Sequence, residues 1–215
     1  MITYIITGGS ISDAQVQELL AADSEDKVII AADKGMECCI RLEVRPNYLI
    51  GDFDSASTEA LAKMKEWNIA VTKLNPIKDD TDTEAALHLA FEKTQGDIII
   101  LGGTGTRMDH VLGNIAILGQ GFEVGRKIYL IDSNNRIQLI DREVTIAKDK
   151  QFGKYISVLP LTTEVRGLCE IGFYYPLDHY TMNSYTSLGI SNEIVEDYGT
   201  ITIEDGVLIV IESKD

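Results

Sequence analysis

The pattern of apolar positions changes character near residue 132. Before that point, short uninterrupted apolar runs alternate with stretches of helical spacing. The apolar runs predict strands at residues 2–7, 28–32, 48–50, 69–73, 98–101 and 127–131. The stretches between them predict helices at residues 12–22, 36–42, 58–67, 81–94 and 109–118. Apolar strands that alternate with helices indicate a parallel sheet covered on both faces.

After residue 132 the chain has strand-like runs with no helical stretch between them. These runs are residues 137–140, 144–147, 155–161, 165–175, 200–204 and 207–211. The last two flank Asp205-Gly206, which predicts a two-residue hairpin. We therefore expect an N-terminal, Rossmann-like α/β domain over residues 1–132 and a C-terminal β-sandwich domain over residues 133–215. The second domain is short for a sandwich, so we expect it to need the first domain or a second subunit.

Charge, hydropathy and cysteine content argue against several classes of protein, namely nucleic-acid-binding, membrane-spanning, secreted and zinc-binding proteins. The 215 residues include 34 acidic and 19 basic side chains, a net charge of -15. Such a surface repels phosphate backbones, so we expect no nucleic-acid partner. No apolar run reaches the roughly 20 residues of a membrane-spanning helix, and the first residues lack the basic region of a signal peptide. Cys38, Cys39 and Cys169 lack zinc-ligand spacing, so we expect packing to be their role in a cytoplasmic protein.

Carboxylates collect where the predicted strands end. In open parallel sheets, ligands bind outside the carboxyl ends of the strands. The acidic residues at this edge are Asp33, Asp52, Asp54, Asp79, Asp80, Asp82 and Asp109. Their mutual repulsion persists unless a cation lies among them, and Mg²⁺ takes carboxylate oxygens together with substrate phosphates. Glycine-rich turns allow backbone to approach phosphate closely, so this edge indicates Mg²⁺ with a polyphosphate.

Each acidic segment also has a purely structural interpretation. Residues 81–84, Thr-Asp-Thr-Glu, form a helix capping box, and acids in a first helical turn favour the helix dipole. Asp54-Ser55 fits a turn, and Asp109 fits an N-cap. These interpretations do not account for the carboxylates gathering at one edge. Arg107 adds a donor that binds phosphate in a bidentate manner.

Other familiar chemistries lack their motifs. The chain has no G-x-x-x-x-G-K-[ST] segment and no G-x-S-x-G nucleophile turn. Gly8-Gly9-Ser10 after the first strand is a glycine turn without the full dinucleotide-binding fingerprint. The three histidines, His88, His110 and His179, show no zinc pattern.

The ordered motifs closely resemble those of the thiamine pyrophosphokinase (thiamin diphosphokinase) family. The segments are ADKG (32–35), GDFDS (51–55), DDTD (79–82) and GGTGTRMDH (102–110). GISNE (189–193) is similar to the family's thiamine-domain signature. The resemblance covers nearly the whole chain, including the change from α/β to all-β. One short motif would be weak support, but four in order with a matching second domain are specific.

The resemblance implies an enzyme that transfers the diphosphoryl group of ATP to the hydroxyl of thiamine, giving thiamine diphosphate and AMP. The family uses Mg²⁺ and forms homodimers with active sites where the subunits meet. The metal-binding positions correspond to Asp52, Asp54 and Asp82. Catalytic positions correspond to Asp79, Arg107 and Asp109. Nucleotide-binding positions correspond to Asp33, Lys34, Gly35, Gly102, Gly103, Thr104 and Arg107. Thiamine-binding positions correspond to Asp82, Asp109, Ser191 and Asn192.

This chemistry needs positioning and charge neutralisation more than covalent help from the protein. Mg²⁺ on the three metal-binding aspartates would bridge phosphate oxygens, and Arg107 would clamp developing charge. Asp109 or Asp79 is a candidate to accept the proton of the thiamine hydroxyl.

Two features depart from the family pattern. Lys34 stands where many relatives carry a small residue, and it either contacts phosphate or points to solvent. Some relatives stack thiamine on a tryptophan, but Trp67 lies on a predicted outer helix. Tyr174, Tyr175 or Tyr180 would then stack on thiamine, unless they belong to the sandwich core.

Two functions of other classes remain as alternatives. A non-catalytic sensor of ATP or thiamine would not need an intact set of metal-binding carboxylates. A Mg²⁺-dependent nucleotide hydrolase would share those carboxylates but would not need the all-β domain.

Overall fold

The structure, a computed structural model, describes residues 1–22, 27–51, 58–73 and 80–215. These residues form two compact units, Met1–Ser133 and Asn134–Asp215. No helix in the described ranges is long and apolar enough to cross a membrane.

The first unit alternates strands with helices. Its strands are β1 (Ile2–Ile6), β2 (Lys27–Ala32), β3 (Tyr48–Gly51), β4 (Ala70–Lys73), β5 (Ile98–Leu101) and β6 (Ile128–Ile131). Its helices are α1 (Asp13–Ala22), α2 (Gly35–Arg41), α3 (Thr58–Trp67), α4 (Asp82–Lys93), α5 (Met108–Ile117) and α6 (Gln120–Val124). The short helix α6 was not predicted, because five residues are too few to establish a helical period.

The strands of the first unit lie in the order β4-β3-β2-β1-β5-β6, and every neighbouring pair is parallel. All four residues of β5 are buried, which explains its uninterrupted apolar sequence. From β1 the chain builds outward through β2, β3 and β4, and it then returns to place β5 on the other side of β1. The strand order therefore reverses between β1 and β5, and such a reversal opens a crevice at the carboxyl ends of the strands.

Helix α4 shows how the sequence produces these elements. Its interior is rich in alanine and leucine, which are strong helix formers. Ala85, Ala86, Leu89 and Ala90 are buried, so small side chains face the sheet. At its end the guanidinium of Arg126 donates to the carbonyls of Ala90 and Gly96, and carbonyl groups in the last turn need such partners.

The second unit is all-β apart from a short 3-10 helix at Lys148–Lys150. Its strands are β7 (Asn135–Ile140), β8 (Glu143–Ala147), β9 (Tyr155–Pro160), β10 (Glu164–Ile171), β11 (Leu177–Asn183), β12 (Tyr198–Thr202) and β13 (Leu208–Ser213). They lie in the orders β7-β13-β9 and β11-β10-β12-β8. Buried residues from both sheets, such as Val158, Leu168, Ile201 and Val210, form one core. The predicted α/β plus β-sandwich fold class is confirmed.

The predicted hairpin at Asp205-Gly206 is wrong. Strand β12 pairs with β10 and β8, whereas β13 pairs with β7 and β9, so the turn connects two different sheets. The carbonyl of Asp205 accepts from the N–H of Arg166, and Gly206 has φ 99°. Turn chemistry specifies a reversal of direction but does not specify the partner of the strand that follows.

Strand β11 was also missed, since the prediction placed one long strand over residues 165–175. Strand β10 ends at Ile171, and the chain returns as β11 after a short connection. Most residues of β11 are exposed, so it lacks the apolar alternation by which strands are recognised.

Candidate functional site

A cleft of about 520 Å³ lies at the carboxyl ends of the strands in the first unit. It is called the strand-end cleft below. It is lined by residues 7–9, 32–34, 80–83 and 102–107, together with His110 and Asn114. These segments follow β1, β2 and β5 or begin α4 and α5. The cleft therefore lies where the reversal of strand order opens the crevice.

Backbone of the loops after β1 and β5 forms one wall of the strand-end cleft. The N–H of Gly9 donates to the carbonyl of Gly102 at 2.8 Å, and the N–H of Ser10 donates to Thr104 at 2.7 Å. The hydroxyl of Thr7 also donates to the Gly102 carbonyl, at 2.6 Å. A Cβ on Gly9 would lie 2.2 Å from the carbonyl oxygens of Gly102 and Thr104. Only glycine allows the two loops to approach this closely.

The segment after β2 contributes a carboxylate and an ammonium group. Asp33 has φ 46°, and its N–H donates to the carbonyl of Ile50 at 2.9 Å. Lys34 is exposed and lines the cleft, with its Cβ packed over Gly8. Gly35 does not line the cleft, because it packs directly beneath against the carbonyl of Ile6.

The start of α4 combines the two interpretations that the sequence left open, a helix cap and a group of carboxylates at the cleft. The hydroxyl of Thr81 accepts from the N–H of Glu84 at 3.2 Å, which is the N-cap half of the predicted capping box, whereas the Glu84 carboxylate accepts from Gln120 at 2.6 Å. Thr81 also lines the cleft together with Asp80 and Asp82. Asp80 lies 3.5 Å from Nδ1 of His88. Capping the helix therefore places these carboxylates at the cleft instead of excluding them from it.

Arg107 and Asp109 form an exposed ion pair at the start of α5. The guanidinium donates to both carboxylate oxygens, at 3.2 Å and 2.6 Å. This hydrogen bonding lowers the pKa of Asp109 to about 2, so Asp109 is ionised at neutral pH. Arg107 occupies the N-cap position and lines the cleft. Asp109 lies in the first turn of α5 and does not line the cleft. Because Arg107 is the N-cap of this helix, the interpretation of Asp109 as the N-cap is wrong.

The charges of the cleft suit a phosphate that is accompanied by a cation. Lys34 and Arg107 provide positive charge on the described walls, and Asp33, Asp80 and Asp82 provide carboxylate oxygens. Asp52, Asp54 and Asp79 lie outside the described residues. Of the three predicted metal ligands, the structure thus describes Asp82, whose carboxylate is the hard oxygen donor that Mg²⁺ takes.

Comparisons with known proteins match both units of the chain. The model of "Thiamin pyrophosphokinase, catalytic domain" matches residues 20–130, and that of "Thiamin pyrophosphokinase, vitamin B1 binding domain" matches residues 142–208. Thiamine pyrophosphokinase from Bacillus subtilis is 35% identical over 201 residues, which are 93% of this chain and 94% of the relative. The chain belongs to the thiamine pyrophosphokinase family.

Solved structures of this family have the same fold. The crystal structure of thiamine pyrophosphokinase from Bacillus subtilis matches with a TM-score of 0.89 at 34% identity, over 100% of both chains. The crystal structure of thiamin pyrophosphokinase from Geobacillus thermodenitrificans matches with a TM-score of 0.87 at 31% identity, over 100% of this chain and 98% of that one.

In the unit that matches the vitamin B1 binding domain, the GISNE segment is held by a buried amide. The side chain of Asn192 donates to the carbonyl of Tyr175 at 2.8 Å and to the carboxyl of Glu170 at 3.3 Å. Its oxygen accepts from the N–H groups of Tyr175 and Glu193, each at 3.0 Å. Ser191 is exposed and has φ 60°. Asn192 therefore orders the segment on which Ser191 is presented.

The tyrosines of this unit lie outside its core. Tyr174 and Tyr175 are 65% and 66% exposed, with ring centroids 4.8 Å apart in an edge-to-face arrangement. Tyr180 is 39% exposed. The alternative that these side chains fill the sandwich core is wrong, and their rings are accessible to a ligand.

Sequence reasoning missed part of the strand-end cleft. Thr7, Gly8, Gly9, His110 and Asn114 were not among the predicted site residues, yet all line it. The Gly8-Gly9 turn was dismissed because it lacks a full dinucleotide fingerprint. It follows β1 directly, so the same strand-end argument that identified Asp33 would have found it.

Proposed function

We propose that this chain is an ATP- and Mg²⁺-dependent thiamine diphosphokinase that converts thiamine to thiamine diphosphate and releases AMP. The observation that carries the proposal is the strand-end cleft. There the family's motifs bring carboxylates and a guanidinium group next to the closely packed backbone of two loops. Both units match the corresponding family models, which supports a transferase over a simple nucleotide hydrolase.

The cleft suggests how the nucleotide is held. Backbone of Gly102, Gly103 and Thr104 would approach the phosphates, since all three residues line the cleft. Lys34 and Arg107 offer positive charge to the phosphate oxygens. Asp33 borders the same cavity as a hydrogen-bond acceptor, and Gly35 supports this segment from below.

The carboxylates of Asp52, Asp54 and Asp82 would hold Mg²⁺. An ion held there would neutralise charge on the phosphate oxygens and thereby favour departure of AMP. Asp82 fits this role, because it borders the cleft at the N-terminus of α4.

Arg107 and Asp109 have complementary roles in the transfer. Arg107 stabilises charge that develops on the transferred group. Asp109 orients that guanidinium, and its lowered pKa makes it a weak base. Asp79 is therefore the stronger of the two candidates to receive the proton of the thiamine hydroxyl.

Thiamine would be bound by Asp82 and Asp109 together with Ser191 and Asn192. Carboxylates attract the positive thiazolium ring, and Asn192 acts through the segment that carries Ser191. As in the resemblance described above, we propose a cytoplasmic homodimer with active sites where the subunits meet.

Product analysis with thiamine, ATP and Mg²⁺ tests the proposed reaction. We expect AMP and thiamine diphosphate in equal amounts, with no ADP. ADP with thiamine monophosphate would indicate transfer of the γ-phosphoryl group instead. AMP without modified thiamine would favour the hydrolase, and thiamine binding without turnover would favour the sensor.

A further inference from the structure

An irregularity in the second unit brings three metal-ligating side chains together. In the pairing of β10 with β11, Leu168 lies opposite Tyr180 and Glu170 lies opposite Leu177. From the first pair to the second, β10 advances by two residues and β11 by three. The extra residue on β11 forms a β-bulge at Asp178 and His179. His179 has φ 45°, a conformation that side chains other than glycine rarely adopt. The bulge turns both side chains toward Cys169 on β10.

The three side chains form what is called the Cys169 cluster: Cys169, Asp178 and His179. The Nδ1 atom of His179 lies 3.7 Å from Sγ of Cys169 and 2.7 Å from Oδ1 of Asp178. The three potential ligand atoms all lie within 4.8 Å of one another. The backbone N–H of His179 also donates to Sγ of Cys169, at 3.3 Å.

A carboxylate lies on the far side of the imidazole. The Oε1 atom of Glu204 is 3.7 Å from Nε2 of His179. The side chain of Glu204 packs over Gly167, since a Cβ added to Gly167 would lie 2.4 Å from Cγ of Glu204. Histidines that bind metal through one nitrogen commonly direct the other N–H to a carboxylate. Glu204 is placed to have this supporting role.

We propose that the Cys169 cluster is a binding site for a borderline-soft divalent cation, best exemplified by Zn²⁺. Thiolate, imidazole and carboxylate form the donor set that Zn²⁺ prefers, and three protein ligands leave a fourth position for water. With Zn–S near 2.3 Å and Zn–N near 2.1 Å, tetrahedral geometry separates sulfur from nitrogen by about 3.6 Å. The observed 3.7 Å separation of Sγ and Nδ1 matches this value. The 2.7 Å between Nδ1 and Oδ1 of Asp178 is a hydrogen-bond distance, shorter than the roughly 3.4 Å of two tetrahedral ligands, so the exposed Asp178 side chain must turn away from Nδ1 to join the same shell.

A simple thiol–imidazole pair does not account for the arrangement. Such a pair needs only two groups, whereas Cys169 and Asp178 both approach the same nitrogen of His179. Three donors that converge on one region match the requirement of a cation. Metal binding forms bonds to Sγ, Nδ1 and Oδ1, and it releases the thiol proton to solvent.

The Cys169 cluster is accessible, and none of its three residues is among those proposed for catalysis. Cys169 is half-buried, and the side chains of His179 and Asp178 are 69% and 93% exposed. The packing role expected for Cys169 stays a prediction, since a half-buried thiol can pack against its neighbours and still be reached by a cation. The ligands come from two antiparallel strands, so their spacing along the chain does not match any zinc motif.

Titration of the full-length, metal-free protein with Co²⁺, followed by displacement with Zn²⁺, tests the site. Excess Mg²⁺ keeps carboxylate-only sites occupied by a hard cation. We expect one equivalent of Co²⁺ to give the thiolate charge-transfer absorption of a tetrahedral site, and Zn²⁺ to abolish it. Cys38 and Cys39 are buried and their pKa values are raised by burial, so they should not contribute.

Substitutions test whether the charge-transfer absorption comes from the Cys169 cluster. Cys169→Ser should remove the charge-transfer absorption, and His179→Asn, which tolerates a positive φ, should weaken Co²⁺ binding more than 10-fold. Glu204→Gln should weaken it about 10-fold. Asp205 is a neighbouring exposed carboxylate outside the cluster. Asp205→Asn should therefore leave Co²⁺ binding unchanged.

Three outcomes would overturn the site: no charge-transfer absorption in the wild type, absorption that persists in Cys169→Ser, or equal Co²⁺ affinity in wild type and His179→Asn. Melting curves of the metal-free variants establish that each is folded. His179→Asn keeps the test decisive if Cys169→Ser does not fold.

Discussion

At the scale of single residues, burial changes the chemistry of one carboxyl group in the second unit. Glu170 is 2% exposed and accepts a hydrogen bond from Asn192. Burial raises its pKa from 4.5 to about 7, because the charged form loses its hydration. The hydrogen bond from Asn192 opposes this shift only in part.

This raised pKa makes folding stability depend on pH. Between pH 4.5 and 7 the folded chain keeps the Glu170 proton, whereas the unfolded chain has already released it. The contribution of Glu170 is therefore most favourable at low pH and is lost as pH rises to about 7, by on the order of 3 kcal/mol. Glu170→Gln keeps the acceptor but cannot ionise.

Denaturant unfolding of wild type and Glu170→Gln at pH 5 and pH 8, with a chelator present, measures this effect. We expect the variant to gain about 2.5 kcal/mol relative to wild type on going from pH 5 to pH 8. Other titrating groups cancel in this double difference. A difference between the two proteins that does not change with pH would contradict the assignment to Glu170.

At the scale of elements, the two loops that form a wall of the strand-end cleft depend on close backbone contact. Gly9→Ala would place a Cβ 2.2 Å from two carbonyl oxygens, so the loops must separate. We expect a loss of stability of about 1–3 kcal/mol and a rise in the KM for ATP. Thermal unfolding and steady-state kinetics measure the two effects.

Gly113→Ala is a matched control for this substitution. Gly113 is exposed on α5, and a Cβ there would meet no atom within 4 Å. We expect this variant to be more stable by about 0.5–1 kcal/mol, because alanine loses less conformational entropy in a helix. If the two variants behaved alike, close loop contact would not be important for the cleft.

At the scale of the whole molecule, binding of substrate should stabilise the fold by mass action. ATP with Mg²⁺ at roughly 100 times its Kd should raise the melting temperature by about 5–10 °C. Mg²⁺ also relieves repulsion among the carboxylates at the sheet edge. Differential scanning fluorimetry with ATP, with and without Mg²⁺, measures the shift.

Asp54→Asn should remove the Mg²⁺-dependent part of this shift and reduce turnover by orders of magnitude while the fold persists. Asp149→Asn, an exposed carboxylate on the 3-10 helix, should retain the full shift. A full shift in Asp54→Asn with near-wild-type turnover would mean that Asp54 does not bind the metal.

Much of the fold and part of the cleft follow from local sequence. The helix predicted over residues 58–67 coincides with α3, and the strand predicted over residues 98–101 coincides with β5. The helix has apolar residues at helical spacing, the strand is an uninterrupted apolar run, and both have sharp boundaries. Asp33, Asp82 and Arg107 were found because strand ends in a parallel sheet share an edge. The turn that contains Gly9 also follows a strand end, but it was missed because it lacks a full dinucleotide-binding fingerprint.

The sequence by itself determined the two kinds of unit, the order of strands and helices along the chain, and the residues at the strand ends. Each of these follows from neighbouring residues through apolar periodicity and turn chemistry. Only the tertiary structure decided that β12 and β13 enter different sheets and that a bulge at His179 brings Asp178 to Cys169. These features depend on pairing between distant segments, because burial of the whole core selects the partner of each strand.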